Sequence, residues 1–473
     1  MTHLEGLALR CLFPGFEGTR APEWVLRCAG QGLGGVVLFA RNVEGPDQLR
    51  NLTAELHDAR PQIVVAIDEE GGDVTRLEAR TGSSYPGNLA LGVAGDVALT
   101  REVAASIGQR LSDAGIDLNL APVADVNSNP RNPIIGVRSF GSDFDDVAHH
   151  VAAWIEGMQS AGVAACAKHF PGHGDTSIDS HLALPVVHED PHLRALKPFQ
   201  AAIASGVQAV MSAHVVVPEI DSEPATASGR VMTGILRDEL GFEGMAVTDG
   251  LEMRGFTGGG DVGEGAVRAL RAGCDALCVG GGLAGQETVD QIVRDVAAAV
   301  EDGRLSQSRL AQAASRVDVL AARRPARSIA RPSRRDAGLD AARKAIRADG
   351  DVHVGDGVFV LRFASPASIA AGEVPWGVAG ALARRGARVT AVDGGSAAHH
   401  HAVPASSLVL VVRDLHRQPG QADQLDAILA DRPDAILVEM GLPICRPRRA
   451  RNYIATHGSA RVCADAAAEL MRP

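Results

Sequence analysis

One segment of the sequence gathers several side chains that could carry out acid–base chemistry. It begins with Lys168 and His169, continues through a Gly- and Pro-rich stretch, and ends with Asp179 and His181. The apolar run 163–167 precedes it, so we predict that Lys168 and His169 lie at a strand end and the rest on a loop. In an extended loop Asp179 and His181 share one side, where a carboxylate can orient an imidazole for proton transfer. The segment therefore predicts a catalytic dyad, and a polar surface loop is the alternative interpretation.

These side chains require a framework that brings several strand ends together. Short apolar runs recur along the chain, each followed by a turn and an amphipathic stretch, at 34–40, 63–70, 116–125, 163–172, 207–216, 245–253 and 274–281. An eighth strand is expected near 7–13. Most runs end in polar residues such as Asp68, Lys168 and Asp249, which a parallel barrel would bring to one mouth. We therefore predict an α/β fold that begins with a (β/α)₈ TIM-type barrel.

A second domain is predicted beyond the barrel. Residues 323–335 contain six arginines, two prolines and no acidic residue, which is typical of a linker. We predict a catalytic barrel over 1–322, a linker over 323–346 and a smaller α/β sandwich domain over 347–473. The three consecutive histidines that begin at His399 are interpreted as an exposed loop, and no metal site is predicted.

Composition narrows the class of partner. The formal net charge is −11, which gives no reason to expect nucleic acid or an anionic membrane as a partner. The 7 cysteines form neither a disulfide framework nor a metal pattern, and no dinucleotide fingerprint is present, so we expect no cofactor. The N-terminal residues lack the pattern of a signal peptide, which predicts a cytoplasmic location. A small-molecule substrate is expected, and the oligomeric state stays open.

Several motifs, taken in order, resemble those of one enzyme family. They are Asp68-Glu-Glu-Gly-Gly-Asp-Val-Thr-Arg76, Ile135-Gly-Val-Arg138, Lys168-His-Phe-Pro-Gly-His-Gly with Asp179-Ser-His181, and Val247-Thr-Asp249-Gly-Leu-Glu-Met253. Together they resemble the NagZ-like β-N-acetylglucosaminidases of glycoside hydrolase family 3. The resemblance covers about residues 5–320 well, and the second domain more loosely resembles the α/β sandwich of longer members.

The resemblance implies a role for each of these residues. Asp249 matches the nucleophile, and His181, oriented by Asp179, matches the general acid/base of a retaining glycosidase. Five further residues match positions that bind the terminal sugar: Asp68, Arg76, Arg138, Lys168 and His169. On spacing alone, the alternative that Asp249 caps the following helix is favoured.

The implied function is a retaining exo-β-N-acetylglucosaminidase acting on peptidoglycan-derived fragments or other terminal β-GlcNAc groups. Two alternatives stay open at this stage. A phosphorylase would use phosphate in place of water, and a non-catalytic protein would only bind sugar on the same fold. One departure from the family is Glu69, where Gln is often found, which could alter substrate preference if its side chain faces the barrel mouth.

Overall fold

The structure, a computed structural model, describes residues 1–180, 183–187, 194–257, 260–280, 285–323, 336–366, 368–394 and 407–473. These residues form two compact units. The first comprises Met1–Glu69, Arg101–Pro133 and the described part of Ser142–Ser333. The second comprises Glu70–Thr100, Ile134–Gly141 and the described part of Arg334–Pro473. The second unit therefore includes two segments from the N-terminal part of the sequence, and the predicted boundaries at 322 and 346 stay predictions.

The first unit is built on parallel strands. Its strands are β1 (Leu12–Pro14), β2 (Gly35–Leu38), β3 (Val64–Ile67), β4 (Leu118–Asn119), β5 (Ala164–Phe170), β6 (Ala209–Ser212), the short antiparallel pair β7 (Val216–Val217) and β8 (Asp221–Pro224), β9 (Met245–Thr248) and β10 (Leu277–Val279). Six of them form one parallel sheet in the order β2-β3-β4-β5-β6-β9, and β1 pairs with β10. A parallel bridge between Val247 and Ala276 joins β9 to the residue just before β10.

Side chains from these strands meet in one interior. Alternate residues of each parallel strand contribute to a single buried cluster, which includes Phe13, Val37, Val64, Leu118, Cys166, Met211, Val247 and Cys278. Because successive side chains of a strand point to opposite faces, such alternation is what a curled sheet with a filled interior requires. The predicted TIM-type barrel is confirmed.

The helices lie between the strands. In chain order they are α1 (His3–Arg10), α2 (Glu23–Gln31), α3 (Pro46–Ala59), α4 (Asn88–Ala94), α5 (Val97–Asp113), α6 (Phe144–Ser160), α7 (Lys197–Ala204), α8 (Arg254–Thr257), α9 (Val262–Ala272), α10 (Gln286–Glu301), α11 (Gln307–Ala322), α12 (Ala337–Ala345), α13 (Ala379–Arg384), α14 (Pro419–Asp431) and α15 (Arg461–Met471). A helix of π geometry, Arg230–Glu239, precedes β9. Among the described residues, none of these helices combines the length and apolarity that a bilayer crossing requires.

The expected position of the first strand is wrong in one respect. The range 7–13 was expected to be strand, but α1 occupies most of it and β1 begins only at Leu12. The helix is favoured by a capping box in which the Thr2 hydroxyl accepts the backbone N–H of Glu5 at 3.2 Å. Apolar residues such as Leu9 are buried on one face of α1. The apolar residues that were expected to form a strand therefore form the buried face of a helix instead.

The second unit is a smaller α/β sandwich, as predicted. Its strands are β11 (Arg347–Asp349), β12 (Gly357–Arg362), β13 (Arg388–Asp393), β14 (Ser407–Val412), β15 (Ile436–Glu439) and β16 (Asn452–Ala455), in the order β11-β16-β15-β14-β12-β13. All neighbours are parallel except β11 and β16. Val409 and Val411 face one buried cluster while Leu408 and Leu410 face another, so the sheet is covered on both faces.

His457 gives the second unit a pH dependence that can be measured. It lies just after β16 with φ of 58°, in the left-handed region. Burial lowers the pKa of His457 to about 4 from its ordinary 6.5, the charge of Arg347 acts in the same direction, and a bond to the Ala345 backbone opposes both. Between pH 6.5 and pH 4 the unfolded chain therefore binds a proton that the folded chain does not. Stability must fall as the pH drops through this window, by up to about 3 kcal/mol from this group.

We expect His457→Asn to flatten this dependence, because asparagine tolerates the left-handed backbone and does not titrate. Chemical denaturation of wild type and variant at intervals between pH 7 and pH 4 measures the effect. His353→Asn is the matched control, since the side chain of His353 is 68% exposed. Equal pH slopes for wild type and His457→Asn would contradict the prediction.

Candidate active site

A buried ion pair joins two of the predicted sugar ligands. Lys168 lies near the carboxyl end of β5, and Asp68 directly follows β3. Lys168 Nζ donates to Asp68 Oδ1 at 2.7 Å, and the lysine side chain is 2% exposed while the aspartate is 17% exposed. A lysine buried to this degree requires a partner, and Asp68 provides it. The pair therefore presents a fixed donor and acceptor at the carboxyl edge of the barrel.

Asp125 forms hydrogen bonds with two histidines of the Gly- and Pro-rich segment. Its Oδ2 lies 2.6 Å from His169 Nδ1, and its Oδ1 accepts the backbone N–H of His173 at 2.6 Å. Burial alone would raise the pKa of Asp125, but the neighbouring His169 and His173 outweigh it and hold the pKa below its ordinary value. A carboxylate at Nδ1 favours the tautomer with the ring proton on that nitrogen, so Nε2 is the nitrogen left to face a ligand.

His173 itself is buried and neutral. Burial lowers its pKa to about 4, against the opposing charge of Asp125. Its Nδ1 lies 2.7 Å from the Thr176 hydroxyl, and Asn132 Nδ2 donates to its backbone carbonyl at 2.8 Å. These bonds join His173 to Thr176 and to Asn132, so His173 stabilises the loop that precedes Asp179.

Asp249 lies at the end of β9, where its backbone is held on both sides. The N–H of Thr248 donates to the Ala276 carbonyl at 2.9 Å, and the N–H of Asp249 donates to the Ser212 carbonyl at 3.3 Å. Its side chain is half-buried, and Oδ1 accepts the N–H of Gly250 at 2.8 Å. A carboxylate fixed in this way at a strand end is preorganised, so it loses little conformational freedom when a substrate binds.

Asp249, Asp68 and Lys168 act electrostatically on the same buried thiol. Burial raises the pKa of Cys166; the charge of Lys168 opposes this shift, and the charges of Asp68 and Asp249 add to it. The thiol of Cys278, also in the barrel interior, is perturbed by the same three charges and by Glu252. Asp68, Lys168 and Asp249 lie at the carboxyl ends of β3, β5 and β9, which belong to one parallel sheet, so the fold places these three predicted site residues at one edge of the barrel.

The turn that follows Asp249 is fixed by two further contacts. His214 Nε2 lies 3.0 Å from the Gly250 carbonyl, and its Nδ1 lies 2.9 Å from the Thr226 hydroxyl. A carbonyl can only accept, so Nε2 carries the proton. The imidazole also stacks on Phe256, with ring centroids 4.7 Å apart. On the other side, the N–H of Gly280 donates to Glu252 Oε1 at 3.1 Å.

The structure describes only one residue of the predicted dyad. Asp179 is half-buried on the loop after β5, and its carbonyl accepts the N–H of Ala183 at 3.0 Å. His181 lies outside the described residues. Its role and that of Asp179 stay predictions.

The two predicted arginine ligands belong to the second unit. Arg138 forms a buried bidentate pair with Glu70, with Nε and Nη2 donating at 2.9 and 2.7 Å. Arg76 Nη2 donates to the Ala370 carbonyl at 2.9 Å. Bidentate pairing fixes the plane of the guanidinium and leaves its remaining N–H groups oriented. Binding of sugar by either arginine stays a prediction.

Glu69, the departure from the family pattern, is buried at 2% exposure. Its backbone N–H donates to Asn119 Oδ1 at 2.9 Å, and its carbonyl accepts from Asn119 Nδ2 at 2.8 Å. These two bonds tie the end of β3 to β4. Within the part of the chain that the structure describes, no group of three or more acidic, histidine or cysteine side chains is arranged to hold a metal ion.

The predicted site residues did not include Asp125, His214 or Glu70, whose side chains form the hydrogen bonds described above. Asp125 and His214 each end an apolar run, which is the same signal that indicated Asp68 and Asp249. Glu70 directly follows Glu69 in a motif, but no local pattern indicates that it pairs with Arg138, which is 68 positions away.

Known proteins share sequence and fold with this chain. The model of the glycosyl hydrolase family 3 N terminal domain matches residues 20–320. The chain is similar over its whole length to the structure of a glycoside hydrolase family 3 β-N-acetylglucosaminidase from Paenibacillus sp. str. FPU-7, at 33% identity and a TM-score of 0.90, covering 97% of that chain. It is 40% identical over 280 residues to a β-hexosaminidase of Alkalilimnicola ehrlichii, covering 56% of this chain and 79% of that protein.

A third similarity is to β-hexosaminidase A of Pseudoalteromonas piscicida, at 35% identity over 336 residues, or 65% of this chain. The match spans 56% of the length of that relative. The family match over residues 20–320 includes the strands of the TIM-type barrel from β2 to β10, at whose carboxyl ends Asp68, Lys168 and Asp249 lie. The chain belongs to glycosyl hydrolase family 3, and the resemblance seen in its motifs is confirmed.

Proposed function

We propose that this protein is a retaining exo-β-N-acetylglucosaminidase. The observation that carries the proposal is the position of Asp249, a carboxylate held at the carboxyl end of β9, in the same parallel sheet whose strands β3 and β5 carry Asp68 and Lys168 at their carboxyl ends. The similarity to a β-N-acetylglucosaminidase of known structure supports the choice of sugar. The proposal assigns Asp249 as the nucleophile, with Asp179 and His181 as the acid/base dyad.

The proposed reaction has two balanced steps. In the first, an oxygen of Asp249 attacks the anomeric carbon while the bond to the leaving oxygen breaks, and His181 gives its proton to that oxygen. In the second, His181 takes a proton from water, the water oxygen attacks the anomeric carbon, and the bond to Asp249 breaks. Asp179 would stabilise the imidazolium and fix the tautomer of His181.

Sugar recognition is proposed to rest on Asp68, Lys168 and His169, together with Arg76 and Arg138. A hydrogen bond between a charged side chain and a sugar hydroxyl contributes about 1.5–3 kcal/mol when it is shielded from water. The ion pair of Lys168 and Asp68 supports this role, because its two charged groups are already paired and need little rearrangement when a hydroxyl arrives.

The proposed substrates are peptidoglycan-derived fragments and related conjugates that end in β-GlcNAc, cleaved from the chain end in the cytoplasm. The low aromatic content, 3% of residues, leaves few platforms for stacking additional sugars, which favours exo action. Comparable cleavage of internal bonds in long chitin oligomers would contradict exo action.

One experiment tests the function against its alternatives. Hydrolysis of p-nitrophenyl β-GlcNAc is compared with that of the β-glucoside, with and without phosphate, for wild type and His181→Ala. We expect preference for the GlcNAc substrate, free GlcNAc as product, a rate independent of phosphate, and partial rescue of His181→Ala by azide. Formation of GlcNAc-1-phosphate would identify a phosphorylase, and binding without turnover would identify a sugar-binding protein.

A further inference from the structure

Gly255 contacts the loop that carries the proposed dyad. It lies in α8, six positions after Asp249, and its N–H donates to the Ser180 carbonyl at 3.0 Å. Ser180 is buried and directly follows Asp179. On the far side of the loop, the N–H of Ala183 donates to the Asp179 carbonyl at 3.0 Å. The described residues on both sides of position 181 are therefore tied to each other and to the turn that follows the nucleophile.

Helix α8 and the loop can come this close only because residue 255 has no side chain. A Cβ atom on Gly255 would lie 2.5 Å from the Ser180 carbonyl oxygen and 3.0 Å from the Ala183 carbonyl oxygen. Both neighbours are backbone atoms, which cannot move aside by a rotamer change. Any residue other than glycine must therefore push the loop away from α8 or move α8 itself.

We propose that Gly255 is a positioning residue for the acid/base dyad, and this inference rests on the proposed function. Its N–H and its missing side chain set how closely the loop of Asp179 packs against the polypeptide that continues from Asp249. In a retaining glycosidase the acid/base and the nucleophile act on the same glycosidic bond from opposite sides, so their separation must be fixed. Gly255 links the two chain segments directly.

The turn that contains Gly255 is also bonded from other directions. His214 holds the Gly250 carbonyl and stacks on Phe256, the residue next to Gly255. Glu252 accepts the N–H of Gly280. With α8 fixed in this way, the strain caused by a side chain at 255 should be relieved mainly by movement of the loop.

The test is Gly255→Ala, with Gly234→Ala as the matched control. Gly234 lies in the helix Arg230–Glu239, where the nearest atom to an added Cβ is 3.9 Å away, so alanine fits without displacement. For Gly255→Ala we expect kcat to fall about 10²-fold on substrates with poor leaving groups, with KM nearly unchanged, because a small misplacement of the acid is sufficient for such a loss. The loss should shrink for a dinitrophenyl glycoside, whose leaving group needs little protonation. Gly234→Ala should match wild type.

The decisive measurement combines the substitution with His181→Ala. If Gly255 acts through the dyad, the double variant should be no less active than His181→Ala alone, whereas general damage to the barrel would lower its activity further. Wild-type kcat in Gly255→Ala, or a full additional loss in the double variant, overturns the inference and leaves the proposed function standing. Full activity of His181→Ala would instead overturn the proposed acid/base and this inference with it.

A second variant keeps the test valid if Gly255→Ala does not fold. Ala183→Pro removes the N–H that bonds the Asp179 carbonyl, and Ala183 is exposed, so the barrel interior is not involved. It should produce the same leaving-group dependence and the same absence of further loss in the His181→Ala background. An Ala183→Pro enzyme with wild-type kcat on poor leaving groups would contradict the inference.

Discussion

Replacing Asp249 with alanine is expected to lower kcat/KM by about 10⁴-fold or more on a GlcNAc glycoside while the protein stays folded. The large loss follows from the proposed covalent step, which has no substitute once the attacking oxygen is gone. Folding should survive because Asp249 is only half-buried at the edge of the barrel, so alanine leaves no large cavity in the core. Steady-state kinetics together with a thermal unfolding curve measures both parts of the prediction.

Glu252→Gln is the matched control for this prediction. Glu252 is the next carboxylate along the chain, and glutamine keeps an oxygen that can accept the N–H of Gly280. We expect its kcat/KM to stay within about tenfold of wild type. A fluorinated glycosyl donor that traps the covalent intermediate should label the peptide containing Asp249. An Asp249→Ala variant with a tenth of wild-type activity, or a label on Glu252, would contradict the assignment.

Much of the fold was predictable because parallel strands buried on both faces appear as continuous apolar runs. The run predicted at 63–70 contains β3, Val64–Ile67, and the run at 245–253 begins with β9, Met245–Thr248. The first strand was misplaced because α1 has an apolar face of the same composition. Contacts between residues far apart in the sequence could not be predicted from local patterns. One example is the Ser459 hydroxyl, which donates to Asp73, 386 positions away.

The sequence indicated candidate site residues at strand ends, but it could not indicate which side chains would pair with them. Polar residues at strand ends pointed to Asp68, Lys168 and Asp249, since a barrel brings those ends to one edge. The sequence could not indicate that Asp125 would hold both His169 and His173, because pairing depends on how neighbouring strands align. It also could not distinguish Gly255 from any other glycine, since the need for glycine arises from a backbone that approaches from a different loop.

The opposite end of the barrel carries a different kind of polar cluster. Asp275 lies just before β10 and is fully buried, and it accepts hydrogen bonds from the backbone N–H of Ala246 at 2.9 Å and from three arginines. The arginine donors are Arg237 at 2.6 Å, Arg309 at 2.6 Å and Arg316 at 3.2 Å. Burial lowers the pKa of Arg237, and the charge of Asp275 opposes that effect. Polar groups at the amino ends of barrel strands typically contribute to stability and not to catalysis.

We therefore expect Asp275→Ala to reduce the free energy of unfolding of the barrel by about 3–5 kcal/mol, because it leaves buried guanidinium groups without their carboxylate. Asp318→Ala is the matched control: Asp318 also pairs with arginines, Arg10 and Arg60, but its side chain is 49% exposed, so the loss should stay below about 1 kcal/mol. Denaturant unfolding measures both. The kcat per folded molecule of Asp275→Ala should equal that of wild type, since the cluster lies at the end of the barrel away from Asp249. A large loss of kcat with unchanged stability would place Asp275 in the chemistry and contradict this division of the barrel into a catalytic and a stabilising end.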